Sequence, residues 1–125
     1  MKSGINLVLD TNVIIAVLNG NEIAIELVDG CNLYLSFITE LEVQSFSRIS
    51  EQEKRSLRSF LKECTIIDVN TEIKKECIEL RSQYHLKLPD ALIAATAKYL
   101  DLPLISADKT FNKIKEITLI QFSII

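Results

Sequence analysis

Asp10 interrupts an apolar run, GINLVLDTNVIIAVL over residues 4–18. An unpaired buried charge is expensive, so Asp10 either lies at an exposed edge or has a partner. Three more carboxylates could share a site with it. Glu42, in SFITELEVQSF, stands four residues after Ile38 and four before Phe46, so on a helix it shares their face, with Ile49 seven residues further on. Glu40 falls on the opposite, polar side. Asp90 lies just inside a helix start in KLPDALIAATAKYL, and Asp108 sits two residues beyond the apolar run of LISADKTF.

Each carboxylate also has an ordinary structural role. Asp10 could cap a helix, and Thr39-x-x-Glu42 fits a capping box. Asp90 could simply stabilise a helix dipole, worth ~0.3–1 kcal/mol. Asp108 taken alone reads best as a turn or N-cap residue. None decides singly, but four acids brought together would repel one another unless a hard divalent cation held them. Oxygen-only sites suit Mg2+ or Mn2+. That cation is the partner Asp10 needs.

Other chemistries lack their parts. His85 is the only histidine, which excludes a histidine pair for acid–base cleavage of RNA; a lone histidine on an amphipathic helix is more often structural. Cys31, Cys64 and Cys77 have no adjacent base to activate a thiol. Their odd number, without CxxC or a Cys/His cluster, argues against a disulfide framework or a structural zinc site. A reducing, cytoplasmic location fits them.

The elements that must position the acids follow from hydrophobic patterning. Short aliphatic runs predict strands at Ile5–Leu9, Leu33–Phe37, Thr65–Val69, Leu102–Ser106 and Ile117–Phe122. Helices are expected from near Val13, over Glu22–Val28, Ile38–Ile49, Glu51–Lys62 and Thr71–His85, from Pro89 through DALIAATAKYL, and over Phe111–Lys115. Strands alternating with helices imply a parallel α/β sheet covered on both faces. Ligands of such sheets bind at the carboxyl ends of the strands, where Asp10 and Asp108 fall.

The chain of 125 residues is most simply one domain, residues 1–125, with 48% hydrophobic and 25% charged residues. A net charge of -3 and a pI near 5.2 do not announce a nucleic-acid binder, so local placement of charge matters more than its sum. Lys2 precedes an apolar run too short for a signal-peptide core, and no uncharged stretch is long enough to span a membrane.

Taken in order, LDTNVII, SFITELEV, LPDALIAATA and LISADKTF resemble the motifs of PIN-domain ribonucleases, of the kind found as the toxin in VapBC toxin–antitoxin pairs. The resemblance covers nearly the whole chain; each motif is modest, and the ordered set is specific. It implies that Asp10, Glu42, Asp90 and Asp108 form the acidic site. Ser106 stands where threonine is common, which keeps the hydroxyl. Implied too are a PIN-like three-layer α/β/α fold with a five-stranded parallel sheet, metal-dependent hydrolysis of RNA phosphodiester bonds, a homodimer, and silencing by a cognate antitoxin.

On this reading Mg2+ or Mn2+ is held mainly by Asp10 and Asp90, with Glu42 and Asp108 completing the shell, and Ser106 is a hydroxyl that orients a carboxylate. RNA also needs cations. Arg48, Lys54, Arg55, Arg58 and Lys62 concentrate five of the fourteen basic residues, although Glu51 and Glu53 nearby favour a solvated face for some of them. Lys109 and Lys113 are nearer the acids. No aromatic motif for reading bases is visible. Two rivals stand beside the nuclease. A haloacid-dehalogenase-like phosphatase needs a second aspartate where this chain has Asn12, and a catalytically silent interaction domain could use the same fold.

Overall fold

A computed structural model describes residues 4–46 and 49–123; Lys2 and Arg48 lie outside the described residues. Five strands form one wholly parallel sheet: β1 (Asn6–Leu9), β2 (Asn32–Ser36), β3 (Thr65–Ile67), β4 (Leu104–Ser106) and β5 (Leu119–Gln121). Their order is β3-β2-β1-β4-β5. The register sets Val8 against Tyr34 on one side and against Leu104 on the other, with Leu9 opposite Ile105. Alternation along β1 explains why every one of its last residues can be apolar. Leu7 and Leu9 enter one core, and Val8 enters the other.

The first core is roofed by α1 (Thr11–Leu18), α2 (Glu22–Val28), α3 (Phe37–Gln44) and α4 (Glu51–Lys62), through residues such as Val13, Ile14, Ala24, Val43 and Leu57. The second is covered by α5 (Thr71–Tyr84) and α6 (Leu88–Leu100), with Ile73, Leu80, Ala91, Ile93 and Ala94. A 3-10 helix, Lys109–Lys113, adds Phe111 to it. The result is the three-layer α/β/α arrangement expected, with helices on both faces. Among the described residues no single helix is long and apolar enough to cross a membrane; α1 and α2 pass such a test only as a pair bent by 116°.

One helix ends earlier than its spacing suggested. Ile38–Ile49 was expected as a helix, but α3 stops at Gln44. Ser45 closes it, donating its N–H to the Leu41 and Glu42 carbonyls and its hydroxyl to the Leu41 carbonyl at 2.6 Å. The apolar spacing that ran on through Phe46 and Ile49 has another origin. Both line a pocket of about 120 Å³ with Ile15, Leu18, Val43 and Leu57, between α1, α3 and α4. The capping box that Thr39-x-x-Glu42 offered as an alternative role is absent, because Ser36 caps α3 and Thr39 is buried inside its first turn, its hydroxyl without a partner. A box does form at α4, where Ser50 and Glu53 bond reciprocally.

The sheet order fixes where a ligand can sit. From β1 the chain builds outward to β2 and β3, then returns to β4 on the other side of β1. The carboxyl ends of β1 and β4 therefore bound the crevice that this topology opens for ligands.

Candidate active site

Asp10 leaves β1 at that crevice and is 5% exposed. It caps α1, its Oδ1 accepting the Thr11 N–H at 2.8 Å. Cap and site are thus compatible roles for one residue. Its other oxygen, Oδ2, accepts from Ser106 Oγ at 2.7 Å and from Asn12 Nδ2 at 2.9 Å. Ser106 is the last residue of β4 and fully buried, so the two strand ends are joined through hydrogen bonds of side chains. Burial nonetheless dominates the electrostatics of Asp10, pushing its pKa up from 3.8 to about 6. The bonds from Ser106 and Thr11 oppose that rise, and the charges of Asp90 and Asp108 add to it.

Asp108 follows β4 and caps the 3-10 helix, its Oδ1 accepting the Thr110 N–H at 2.9 Å. The turn role expected for it is real and leaves its second oxygen open. Asp90 lies in the first turn of α6, after Pro89, and is half-buried. Its carboxyl is pushed above the usual range, first by burial and then by the Asp108 charge, with Glu42 adding to the rise. Lys87 and Lys113 pull it down. Glu42 sits on α3, half-buried, with its Oε1 accepting the Thr11 hydroxyl at 2.7 Å. All four acids chosen from the sequence are therefore linked, by hydrogen bonds across β1–α1 or by the charges they feel.

Among the described residues no three acid, histidine or cysteine side chains are arranged to hold a metal ion. The donor set still fits a hard dication. It is all carboxylate oxygen, the charges of its neighbours raise the pKa of Asp10 and of Asp90, and the two lysines felt by Asp90 do not cancel the effect.

Other expectations fare unevenly. Glu40 is half-buried rather than solvated. His85 is exposed and stands past the end of α5, closing it in a left-handed conformation at φ 56. Along α4, Lys54, Arg55, Arg58 and Lys62 are all exposed, and Lys54 pairs with Glu51 at 3.4 Å, which is the solvated face foreseen. Lys109 and Lys113 occupy the 3-10 helix behind Asp108. Three residues at the site were not chosen as site residues from the sequence: Thr11, Asn12 and Lys87. Their only signal was proximity, one or two residues after Asp10 and three before Asp90.

The sequence matches the family model of the PIN domain over residues 7–117. No curated protein sequence matches it. Among solved structures, it resembles a chain of a toxin–antitoxin complex from Klebsiella pneumoniae with 32% identity and a TM-score of 0.80, over 90% of this chain and 95% of that one. A chain of FitAcB from Neisseria gonorrhoeae gives 26% identity and a TM-score of 0.74 over 90% and 95%. VapBC2 from Rickettsia felis, bound to a DNA fragment from its promoter, contributes a chain with the same fold: 24% identity and a TM-score of 0.81 over 95% and 100%.

Proposed function

The chain belongs to the PIN-domain family, and from that premise we propose that it is a metal-dependent endoribonuclease acting as the toxin of a toxin–antitoxin pair. The observation that carries the reading is the buried Asp10 at the β1–β4 crevice, coupled to Asp90 and Asp108. The Klebsiella pneumoniae relative, at 32% identity, comes from a toxin–antitoxin complex, which supports an antitoxin as partner. RNA as substrate and a homodimer rest on the family resemblance of the motifs. Three unpaired thiols support a cytoplasmic setting.

Asp10 and Asp90 would hold Mg2+ or Mn2+, with Glu42 and Asp108 completing the oxygen shell directly or through water. Such an ion supplies a water of lowered pKa and offsets charge on the phosphoryl oxygens. The chain's own residues do the rest. Ser106, Asn12 and the Thr11 N–H keep Asp10 from rotating. Thr11 fixes one oxygen of Glu42, leaving the other to bind or to accept a proton, a role Asp108 could share. Lys87 and Lys113, whose charges reach Asp90, offer positive potential to the RNA backbone. Family membership leaves the phosphatase reading without support.

The test incubates the purified chain, free of partner protein, with mixed cellular RNA in the presence and absence of Mg2+ or Mn2+. Asp90→Asn runs alongside. Discrete fragments that require both metal and Asp90 are expected. Intact RNA, together with no metal binding by either protein, would overturn the reading and leave a silent interaction domain in its place.

A further inference from the structure

In the sequence Asn12 belongs to the Asp10-Thr11-Asn12 stretch that ends the first strand and can cap the next helix, and it stands where a phosphatase would need an aspartate. The hydrogen bonds give it a larger part. Its Nδ2 donates to Asp10 Oδ2 at 2.9 Å and reaches Ser106 Oγ at 3.3 Å, while its Oδ1 accepts the Ala107 N–H at 3.1 Å. Ser106 Oγ donates its one proton to Asp10 Oδ2 and accepts the Asp108 N–H at 2.9 Å. That hydroxyl is then saturated, with one proton given and two donors received. The amide of Asn12 is used at both ends.

A polar residue in a first helical turn ordinarily serves its own helix. Asn12 does not, because Asp10 already caps α1. Its side chain instead spans 94 and 95 residues of sequence to Ser106 and Ala107. One amide therefore ties the β1–α1 junction to the β4 junction, and Asp10 and Asp108 leave from those two junctions. The ring also sorts the oxygens of Asp10. Oδ2 is occupied by two side-chain donors, and Oδ1 carries only the Thr11 N–H.

We propose that Asn12 is a positioning residue of the acidic site: it locks Asp10 and the Ser106–Asp108 turn into one unit, keeps Oδ1 as the open oxygen, and thereby sets metal affinity and kcat without touching substrate. The proposal rests on the metal-dependent reading above. Side chains that orient a metal's ligands typically alter affinity or activity about ten- to a hundredfold when removed.

The test compares Asn12→Ala, Ser106→Ala and the double variant with the wild type by three measurements. These are amide hydrogen exchange in the metal-free protein, Mn2+ affinity by calorimetric titration, and kcat and KM on RNA. In Asn12→Ala the Ala107 and Asp108 amides should exchange faster while that of Val8 in β1 keeps its protection. Mn2+ should bind about ten- to a hundredfold more weakly, and kcat should fall with KM little changed. The double variant should lose no more than about the worse single variant, because the two side chains act as one unit. If Asn12→Ala does not fold, Asn12→Ser carries the same three measurements, with smaller losses expected. Wild-type exchange at Ala107, or wild-type Mn2+ affinity and kcat, would overturn the role of Asn12 alone. A wild-type chain that binds no Mn2+ overturns the metal-dependent reading and this proposal together.

Discussion

Asp10 concentrates the conflict between folding and chemistry in one carboxyl group. Burial lifts its pKa from 3.8 to about 6 even though three donors hold the charged form. The folded state therefore binds a proton more tightly than the unfolded one. Stability is fully present below about pH 4 and is lost as pH rises towards 6. The gap is worth about 3 kcal/mol at most, at ~1.4 kcal/mol for each unit. Thermal unfolding in a chelator should show this decline between pH 4 and 6, and Asp10→Asn should remove it; an unchanged slope would place the titration elsewhere. The two glutamates of α3 give a second prediction at this scale. Glu42 receives the Thr11 hydroxyl, so Glu42→Gln should cut RNA cleavage by a factor of about 10²–10⁴, the usual range for a lost acid–base group. Glu40→Gln should stay within about twofold of wild type, and equal losses in the two variants would contradict the assignment.

At the scale of elements, legibility depended on whether a pattern had one cause or two. Strands and most helices fall where apolar runs and capping put them, since a strand buried on both faces is apolar throughout and most helices turn their apolar residues to one core. Helix α4 is an example: Glu51–Lys62 was read from its charged face and from Leu57, Phe60 and Leu61, and it is found with those bounds. Its start depends on Ser50, so Ser50→Ala should cost about 1 kcal/mol in denaturant unfolding, with RNA cleavage per folded molecule unchanged. A loss of cleavage would tie α4 to the chemistry instead. Helix α3 was misread because Phe46 and Ile49 keep helical spacing for a different reason, lining the pocket beside α1 and α4. Glu42 was chosen over Glu40 with partly wrong support. Ile38 and Glu42 do share a helix, while Phe46 and Ile49 lie beyond its end.

For the whole molecule, the proposed metal site would make stability depend on an ion. If Asp10, Glu42, Asp90 and Asp108 share a divalent cation, Mn2+ at a hundred times its Kd should stabilise the fold by about 2.7 kcal/mol, and a chelator should reverse the gain. Asp90→Asn should abolish the Mn2+ effect on Tm, and a Tm indifferent to Mn2+ would count against the shared site. Residue types, their order and their local spacing were enough to identify four acids, the alternation of strands with helices, and a sheet covered on both faces. These are properties of short stretches, and short stretches display them. The sequence could not say that β4 returns beside β1, that Thr11 reaches Glu42, or that Asn12 spans to Ser106 and Ala107. Those contacts join residues up to 96 positions apart, and no local period or cap encodes them. Only the packing of two cores against one parallel sheet brought the strand ends together, and with them the burial and the neighbouring charges that raise the pKa of Asp10.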